Sequence, residues 1–465
     1  MSLGAAERPL QDLLKAARWD DAPLERLTIE ERPKALATSW PIAPLATAVL
    51  GAVGLAASRI RELKTGKCPH VSLDTREAEL AMASSSYLLV DAKPAKFRDP
   101  FTGFYAAAEG EWVYLHGNFP HLRDGLLALL GVANDGAAVR AAVAKRRAED
   151  IETEAIRRGL CAARVRGRAD WLREPQAAAI AAQPLVCLEQ GGATAMPLPP
   201  GGERPLSGLR MLDLSRVIAG PMAGRTMAEH GATVMRVSSP CLPSIPSLVI
   251  DTGFGKHAAF CELDTAEGIA SLRALAADAD IVLDAYRPSS LRGRGFGPED
   301  FGQLNPYLVH LSLSAFSLQG PWQGRRGYDS LVQATTGMAM EGREGRGPAL
   351  LPCQPLDYLT GYLAAFAAML ALIRRHEKGG RWQATLSLAA TAHWMWRMRD
   401  TLGEDAAHPS ANPDFAAVAD LLETHDTAFG RVTALRPALR FDGVRAVWSR
   451  MPVPLGSDPA CWPQP

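Results

Sequence analysis

The second half of the chain alternates short apolar segments with helical ones, and this rhythm restricts the fold more than any other feature. Four segments predict strands, at 209–214 (LRMLDL), 232–237 (ATVMRV), 280–283 (DIVL) and 307–313 (YLVHLSL). Helices are predicted between them at 220–229 and 264–278. Short, mainly apolar strands that alternate with helices are typical of parallel βαβ units. The chain is therefore predicted to be an α/β protein with a Rossmann-like parallel sheet.

The 465 residues are enough for two or three hydrophobic cores. The run QGGATAMPLPPGGERPLSG, at 190–208, concentrates glycine and proline and is the clearest linker. The predicted division is a peripheral segment at 1–35, an N-terminal α+β unit at 36–189, a linker at 190–204, the Rossmann-like domain at 205–400 and an irregular tail at 401–465. The N-terminal unit contains a predicted strand at 111–115 (EWVYL).

Composition excludes several classes of protein. Lys+Arg and Asp+Glu each number 50, so the formal net charge is zero, which argues against a partner that is nucleic acid or an anionic membrane. Seven scattered cysteines indicate reduced thiols in a cytoplasmic protein. The first residues lack a secretory pattern, and the most apolar stretch, 45–57, has about 13 residues, short of the roughly 20 that span a bilayer. That stretch is predicted to be a buried core helix.

Two segments resemble each other at an offset of 314 residues. PIAPLATAVLGAVGLAASRIRELKTGK, at 41–67, aligns with PLDYLTGYLAAFAAMLALIRRHEKGGR, at 355–381. Both predict an alanine-rich buried helix, a basic glycine turn and a strand, although chance similarity between such helices is the alternative. One difference bears on chemistry, because Ala43 stands in the first copy where Asp357 stands in the second.

Most familiar catalytic and binding motifs are absent from the sequence. There is no GxxxxGK[ST] phosphate loop, HExxH, CxxC or GxSxG motif, and the ten histidines do not cluster as metal ligands. What remains is the loop Ser215–Pro221, after the first strand of the second half. A loop between a strand and a helix presents free N–H groups that favour an anionic ligand, although an ordinary turn is the alternative.

The segment LSGLRMLDLSRVIAGPMAGRTMAEHGATVMRV, at 206–237, resembles the opening of the family III CoA-transferases, which include the related 2-methylacyl-CoA racemases. The resemblance continues collinearly over about 190 residues, 205–395. It includes GFGKHAAFCELDT, ADIVLDAYRPSSLRGRGFG, NPYLVHLSLSAFSLQGPW, GYDSLVQATTG and LDYLTGYLAAFAAMLAL. The segment at 104–131 resembles a later, small-domain part of the same family, which implies a permuted or partly duplicated unit.

The resemblance implies that Asp357 is a catalytic nucleophile. An aspartate at that motif position attacks the thioester of an acyl-CoA, and the freed CoA thiolate then gives an aspartyl-CoA thioester. The alternative is that Asp357 caps the helix that follows it, which is a common role for aspartate.

Other residues match the family's CoA-binding segments. Val217, Ile218 and Ala219 match the loop that lines the adenine and phosphate site. Lys256, Tyr286 and Arg287 match segments that contact the nucleotide, with surface charge as the alternative for Lys256 and Arg287. Tyr328 stands where the racemases carry a histidine base, and a tyrosine with a pKa near 10 is a poor base at neutral pH, which favours transfer.

The expected function is therefore transfer of CoA between carboxylic acids, in a Rossmann-like CoA-binding domain with a smaller α+β domain. Acyl-CoA and a carboxylic acid are the expected partners, with no permanently bound cofactor and no metal. Alternatives are a 2-methylacyl-CoA isomerase, a CoA-dependent lyase and a CoA-binding protein without turnover. Departures from the family pattern, such as Ser238-Ser239 after the second strand and Ala285 in place of asparagine, favour the last alternative. The resemblance also implies a homodimer, unless the duplicated unit closes that interface within one chain.

Overall fold

A seven-stranded sheet forms the centre of the fold in the computed structural model, which describes residues 4–192, 196–343, 345–404 and 407–464. The helices of the first half are α1 (Glu7–Ala16), α2 (Ile42–Thr65), α3 (Thr75–Ala81), α4 (Pro120–Leu130), α5 (Gly136–Val143), α6 (Ala148–Arg157), α7 (Arg168–Arg173) and α8 (Pro175–Ala181). Those of the second half are α9 (Ala219–Glu229), α10 (Pro246–Asp251), α11 (Ala266–Ala277), α12 (Pro288–Arg292), α13 (Pro298–Leu304), α14 (Asp329–Thr335), α15 (Pro355–Lys378) and α16 (Leu388–Leu402).

Strands are short throughout the chain. Those of the first half are β1 (Leu27–Glu30), β2 (Val71–Asp74), β3 (Leu89–Val90), β4 (Lys93–Pro94), β5 (Gly103–Ala106), β6 (Trp112–Leu115), β7 (Ala162–Arg164) and β8 (Cys187–Gly191). The strands of the second half are β9 (Arg210–Leu214), β10 (Thr233–Ser238), β11 (Lys256–Phe260), β12 (Ile281–Asp284), β13 (Val309–Ser314), β14 (Arg381–Ser387), β15 (Leu422–Thr427), β16 (Gly430–Leu435), β17 (Arg440–Phe441) and β18 (Val444–Arg445).

The large sheet has the strand order β11-β10-β9-β12-β13-β14-β8. All its neighbours are parallel except β8, which pairs antiparallel with β14. The order runs outward in both directions from β9 and β12, so a crevice opens between them at the carboxyl ends of the strands. The predicted α/β fold with a Rossmann-like parallel sheet is confirmed, and each predicted strand and helix of this domain lies within two residues of its observed bounds.

The two similar segments form the same local structure. Helices α2 and α15 are each 24 residues long, and each is followed by a glycine in the left-handed region and then by a strand. The last residue of each strand, Asp74 or Ser387, caps the helix that follows. The strands join different sheets, because β2 pairs with β1 and β17 whereas β14 pairs with β13 in the large sheet.

The hydrophobic core crosses the predicted domain boundaries. Helices α2 and α15 pack against each other, and one cluster of buried side chains extends from Leu10 to Leu439 through both halves. A separate cluster lies under the antiparallel sheet β5-β6-β7. The N-terminal unit at 36–189 therefore shares its main core with the domain at 205–400, because its longest helix packs against α15 as well as against α1 and α3.

The two terminal regions differ from prediction. The described part of the predicted peripheral segment, residues 4–35, is not peripheral, since Leu10 and Leu13 of α1 are fully buried against α2 and β1 pairs in parallel with β2. The tail at 401–465 is not wholly irregular, because β16 pairs with β3 and β17 pairs with β2. In the predicted linker, Gln190 and Gly191 belong to β8, residues 193–195 lie outside the described residues, and 196–204 form neither helix nor strand.

Helices α2 and α15 are both long and apolar enough to cross a membrane by length and composition. The apolar stretch at 45–57, predicted as a buried core helix, lies within α2, which extends over 24 residues. In this fold 94% of the most apolar window of α2 and 100% of that of α15 are buried within the protein. Their apolar faces are thus explained by the core that they form together.

Candidate functional site

A cavity of about 340 Å³ lies at the carboxyl edge of the large sheet. Its walls come from the loops that follow β9, β12 and β13 and from Leu388, the first residue after β14. The cavity therefore occupies the crevice that the strand order predicts. Of the residues that the sequence analysis singled out, it is lined by Val217, Ile218, Ala219, Tyr286, Arg287, Tyr328 and Asp357.

The loop after β9 is held in an unusual conformation. Val217 has φ +73°, a region in which a β-branched residue is strained. Below the loop, buried Asp213 accepts a hydrogen bond from Ser215 and a 2.7 Å hydrogen bond from the Lys256 ammonium. Lys256 also donates to the carbonyl of Pro221 at 2.6 Å. These buried contacts fix the course of the loop and hence the start of α9.

Lys256 does not have the predicted role of contacting a ligand in this cavity. Only 1% of the residue is exposed, and it lies beneath the loop and outside the cavity lining. Burial lowers the pKa of its ammonium to about 8, against the attraction of Asp213. The alternative prediction, a surface charge, is wrong for the same reason. Its position at the start of β11 points it under α9, where a buried carboxylate requires a cation.

Arginines give the cavity a positive wall. Arg216, Arg287 and Arg326 line it, and none of the three forms an ion pair with a carboxylate among the described residues. Arg216 instead donates to the Pro243 carbonyl and lies over the Phe119 ring. The Nε atom of Arg326 is buried without a hydrogen-bond partner in the described chain. Arg325 is different, because it is paired with buried Glu152 at 2.7 Å. A cavity with three uncompensated guanidinium groups favours an anion.

Asp357 lies in the first turn of α15, as the third residue of the helix. It does not cap the helix, since its carboxyl group accepts no hydrogen bond from any described residue. That role is taken by Asp329, whose Oδ2 accepts the N–H groups of Leu356 at 2.8 Å and Asp357 at 3.1 Å. The alternative prediction for Asp357, a helix cap, is therefore wrong, and its carboxyl group is left free to face the cavity.

A second, smaller cavity of about 30 Å³ adjoins the first. Val217, Ile218, Tyr328 and Asp357 line both cavities, so these residues form the boundary between them. The small cavity has room for one or two water molecules. Its remaining lining includes polar side chains from distant parts of the chain, namely Arg98, Tyr114, His116, Asn118, Ser330 and Gln354.

Burial raises the pKa values of Asp357 and of its neighbour Asp329, which favours their neutral forms. Desolvation, and then the nearby Asp329 carboxylate, raise the pKa of Asp357 well above its ordinary range. Burial also raises the pKa of Asp329 to about 6, although its three hydrogen bonds act in the other direction. Two carboxyl groups with raised pKa values at a cavity junction are typical of a functional site.

Tyr328 stacks on His116, with ring centroids 4.1 Å apart and planes 10° from parallel. Burial raises the pKa of the Tyr328 hydroxyl above its ordinary value. Burial likewise lowers the pKa of His116 to about 3, so its imidazole is neutral at physiological pH. Neither ring is suited to take up a proton at neutral pH.

Sequence reasoning missed Arg98, His116, Arg216, Arg326 and Asp329. The Gly-Tyr-Asp triplet at 327–329 is a sequence signal for Asp329 as well as for Tyr328. Nothing in the local sequence marks Arg98 or His116, which reach the site from the first half of the chain. No group of three or more His, Cys, Asp and Glu side chains that could hold a metal ion occurs among the described residues.

Residues 206–433 match the sequence model of the family described as CoA-transferase family III. An acetyl-coenzyme A transferase from Hypoxylon pulicicidum is 35% identical over 216 residues, which cover 44% of this chain and 36% of that protein. A probable fatty acyl-CoA transferase from Mycobacterium tuberculosis is 34% identical over 191 residues, which cover 38% and 48%. The chain thus spans about a third to a half of the length of these two curated relatives.

Similarity extends beyond this region in another relative. An acyl-CoA transferase from Gibberella moniliformis is 28% identical over 393 residues, which cover 74% of this chain and 68% of that protein. Among solved structures, the crystal structure of Rv3272 from M. tuberculosis matches with 28% identity and a TM-score of 0.40, over 43% of this chain and 58% of that one.

Proposed function

Because residues 206–433 match the sequence model of CoA-transferase family III, we propose that the chain transfers CoA between carboxylic acids through a thioester on Asp357. The observation that carries this proposal is the position of the Asp357 carboxyl group. It lies at the junction of a cationic cavity and a small polar cavity, and it accepts no hydrogen bond from a described residue. A nucleophile requires this combination of access on two sides and an unengaged lone pair.

In this proposal the larger cavity binds the CoA moiety. The phosphates of CoA are matched by the guanidinium groups of Arg216, Arg287 and Arg326, which lack carboxylate partners in the described chain. The first N–H groups of α9, at Ala219 and Gly220, line the same cavity and have no acceptor within their own helix. They are suited to stabilise the negative charge that develops on a thioester oxygen.

The small cavity, in turn, receives the end of the acyl group. Its volume of about 30 Å³ holds only a few atoms, which favours a short acyl group, and its lining favours a polar terminus. Arg98 forms no ion pair with a described residue, and the Gln354 Oε1 atom is buried without a partner in the described chain. Several relatives are named for short dicarboxylic acids, such as the succinate–glutarate CoA-transferase of Agrobacterium fabrum, 32% identical over 199 residues. A short acid with a second polar group is the substrate class proposed for this chain.

The reaction keeps the energy of the thioester bond. The Asp357 carboxylate attacks the acyl-CoA carbonyl, which forms a mixed anhydride and releases the CoA thiolate. The thiolate then attacks the Asp357 carbonyl, which leaves an aspartyl-CoA thioester and the free donor acid. An acceptor carboxylate repeats the two steps in reverse, so no oxidant, metal or nucleotide hydrolysis enters the balance.

An isomerase is the second candidate, because His116 stacks on Tyr328 and lines the small cavity beside Asp357. Proton exchange at the α-carbon needs a base with a pKa near the working pH. The low pKa of His116, about 3, and the raised pKa of Tyr328 argue against this candidate. A lyase and a CoA-binding protein without turnover are the remaining alternatives.

The test is intact-protein mass spectrometry after incubation with succinyl-CoA or acetyl-CoA. We expect the wild type to gain the mass of one CoA less one water, and Asp357→Ala to gain nothing while it still binds CoA. Asp124→Ala is the matched control, because Asp124 is an exposed aspartate on α4 and its loss leaves the site intact.

Three results would contradict transfer through Asp357. An adduct that persists in Asp357→Ala would move the nucleophile elsewhere. Incorporation of deuterium at the α-carbon of 2-methylacyl-CoA without any adduct would indicate the isomerase. Binding of CoA with neither adduct nor exchange would indicate a binding protein without turnover.

A further inference from the structure

Asp329 is the residue that connects the nucleophile to the rest of the site. Its Oδ2 accepts the N–H groups of Leu356 and Asp357, and its Oδ1 accepts a 2.5 Å hydrogen bond from the Gln333 amide. Gln333 in turn accepts the N–H of Leu351 at 2.9 Å. The Asp329–Gln333 pair on α14 therefore holds both ends of the segment that leads into α15.

Asp329 lies beside Asp357, whose N–H it accepts at 3.1 Å, and among the described residues cations approach the pair from two directions only: Arg98 near Asp329, and the arginine wall of the larger cavity, which Asp357 also lines. Asp329 is 2% exposed and Asp357 is 7% exposed. Four other titratable groups face the pair, and all are neutral at physiological pH because burial raises the pKa of Tyr114, Tyr328 and Cys353 and lowers that of His116. Arg98 is the one cation that acts on Asp329 among the described residues, and its own side chain is exposed.

A second negative charge beside an anionic nucleophile favours reactions that remove the charge of the nucleophile. When both carboxyl groups are ionised, the pair is destabilised by repulsion in a site of low dielectric. Conversion of Asp357 into an anhydride or a thioester removes its charge and relieves this repulsion. The like charge therefore raises the free energy of the free enzyme relative to the covalent intermediate.

We propose that Asp329 is a positioning residue that aligns the first turn of α15 and, through its charge, drives Asp357 toward the covalent intermediate. This inference rests on the proposed transfer through Asp357 and adds a role for a second carboxylate. The charge balance is complete, since the negative charge that Asp357 loses leaves with the donor carboxylate. Asp329 itself forms no bond to substrate in this scheme.

The test separates the charge of Asp329 from its hydrogen bonds. Asp329→Asn keeps an oxygen that accepts the two N–H groups but loses the charge, whereas Asp329→Ala loses both. The rate of CoA-adduct formation with succinyl-CoA is measured from pH 6 to pH 9, together with the adduct fraction at a fixed ratio of succinyl-CoA to succinate.

In Asp329→Asn we expect the pH at which the adduct rate is half-maximal to fall by about one unit, because the neighbouring charge no longer opposes ionisation of Asp357. The adduct-to-free-enzyme ratio is expected to fall about tenfold, the factor that corresponds to one pH unit. In Asp329→Ala the adduct rate is expected to fall more than about a hundredfold at every pH, because the first turn of α15 loses its cap.

Gln333→Glu is expected to shift the half-maximal pH of adduct formation in the direction opposite to Asp329→Asn. It places an added carboxyl group next to Asp329 while the two bonds from α15 are retained, so the half-maximal pH is expected to rise. This variant also provides the test if Asp329→Asn does not fold, and wild-type adduct formation is the reference for both.

The proposal is overturned if Asp329→Asn or Gln333→Glu forms the adduct with the pH dependence and adduct fraction of the wild type. A uniform loss of rate without a shift in pH dependence would reduce Asp329 to a structural cap and would also overturn it. These outcomes differ from failure of the proposed function, in which the wild type itself forms no adduct.

Discussion

The positive side chains at this site fall into two groups, those paired with a carboxylate and those without a carboxylate partner. Lys256 is buried against Asp213 and fixes the loop after β9. Arg287 and Arg326 line the cavity with no carboxylate beside them in the described chain. Desolvation and the nearby Arg326 guanidinium lower the pKa of Arg287, which shows that like charges have been brought together there. Such an arrangement costs free energy in the empty protein and is offset when an anion binds.

Substitution of either arginine tests whether this wall of the cavity binds the phosphates of CoA. Arg287→Gln and Arg326→Gln are each expected to raise the dissociation constant for CoA about tenfold, since a charge-assisted hydrogen bond contributes about 1.5–3 kcal/mol. The salt dependence of binding should weaken as well. Calorimetric titration at two ionic strengths measures both effects.

Arg173→Gln is the matched control, because Arg173 is an exposed arginine on α7 paired with Asp170. Unchanged affinity in both cavity variants, or an equal loss in the control, would show that CoA phosphates do not lie against this wall.

At the scale of elements, the site depends on how closely α9 approaches α15. Gly361 lies one turn after Asp357 on α15, and a β-carbon added there would be 2.6 Å from the carbonyl oxygen of Ala219 at the start of α9. That oxygen belongs to the backbone and cannot move alone. The glycine therefore brings the free N–H groups of α9 close to the helix turn that carries Asp357.

Gly361→Ala is expected to destabilise the protein by about 1–3 kcal/mol, the usual cost of overpacking, and to lower the CoA-adduct rate. Gly51→Ala is the matched control in α2, because the nearest atom to its added β-carbon is the end of the flexible Leu27 side chain at 3.1 Å. A helix gains up to about 1 kcal/mol from such a change. Chemical denaturation and the adduct assay compare the two, and equal behaviour would show that the close approach does not matter.

At the scale of the whole molecule, the candidate site is assembled from both halves of the chain. The second half supplies Asp357 and the arginine wall, while the first half supplies Arg98, Tyr114 and His116 to the small cavity. The net charge of the chain is zero, so the positive field that would attract CoA is local to the cavity. A buried histidine, His230, makes the free energy of unfolding of the whole molecule depend on pH.

His230 lies at the end of α9 against the Phe441 ring, and neither ring nitrogen has a hydrogen-bond partner in the described chain. Burial lowers its pKa to about 3, below the value of 6.5 expected in the unfolded chain. Between these values the unfolded chain holds one more proton at this site, so stability is complete above pH 6.5 and falls as the pH decreases toward 3.

His230→Leu is therefore expected to flatten the pH dependence of the free energy of unfolding between pH 6 and pH 4 by up to about 1.4 kcal/mol per pH unit. Above pH 7 the variant should be at least as stable as the wild type, because it buries no unpaired polar atom. Urea denaturation at several pH values measures this. His408→Leu, at an exposed position, is the control, and an unchanged slope in His230→Leu would refute the assignment.

How much the sequence determined depends on the range of the interactions involved. Four strands and two helices of residues 209–313 and the buried helix of each similar segment followed from local patterns of apolar residues, and the loop after the first of these strands was predicted as a candidate ligand site. Asp357 was predicted as the nucleophile from its motif, and the structure places it in one cavity with Val217, Tyr286 and Arg287. The domain boundaries, homodimer and cytoplasmic location remain predictions.

Only the tertiary structure determines which charged side chains form a buried ion pair and which line the cavity without a carboxylate partner. Lys256 and Arg287 are equivalent in a sequence pattern, yet one is buried on Asp213 and the other lines the cavity. The hydrogen bond from Asp357 to Asp329 and the stacking of His116 on Tyr328 appear only in the tertiary structure, since they join residues 28 and 212 positions apart in the sequence respectively. Local propensity acts over a few residues, whereas burial, ion pairing and pKa depend on every segment packed around a group.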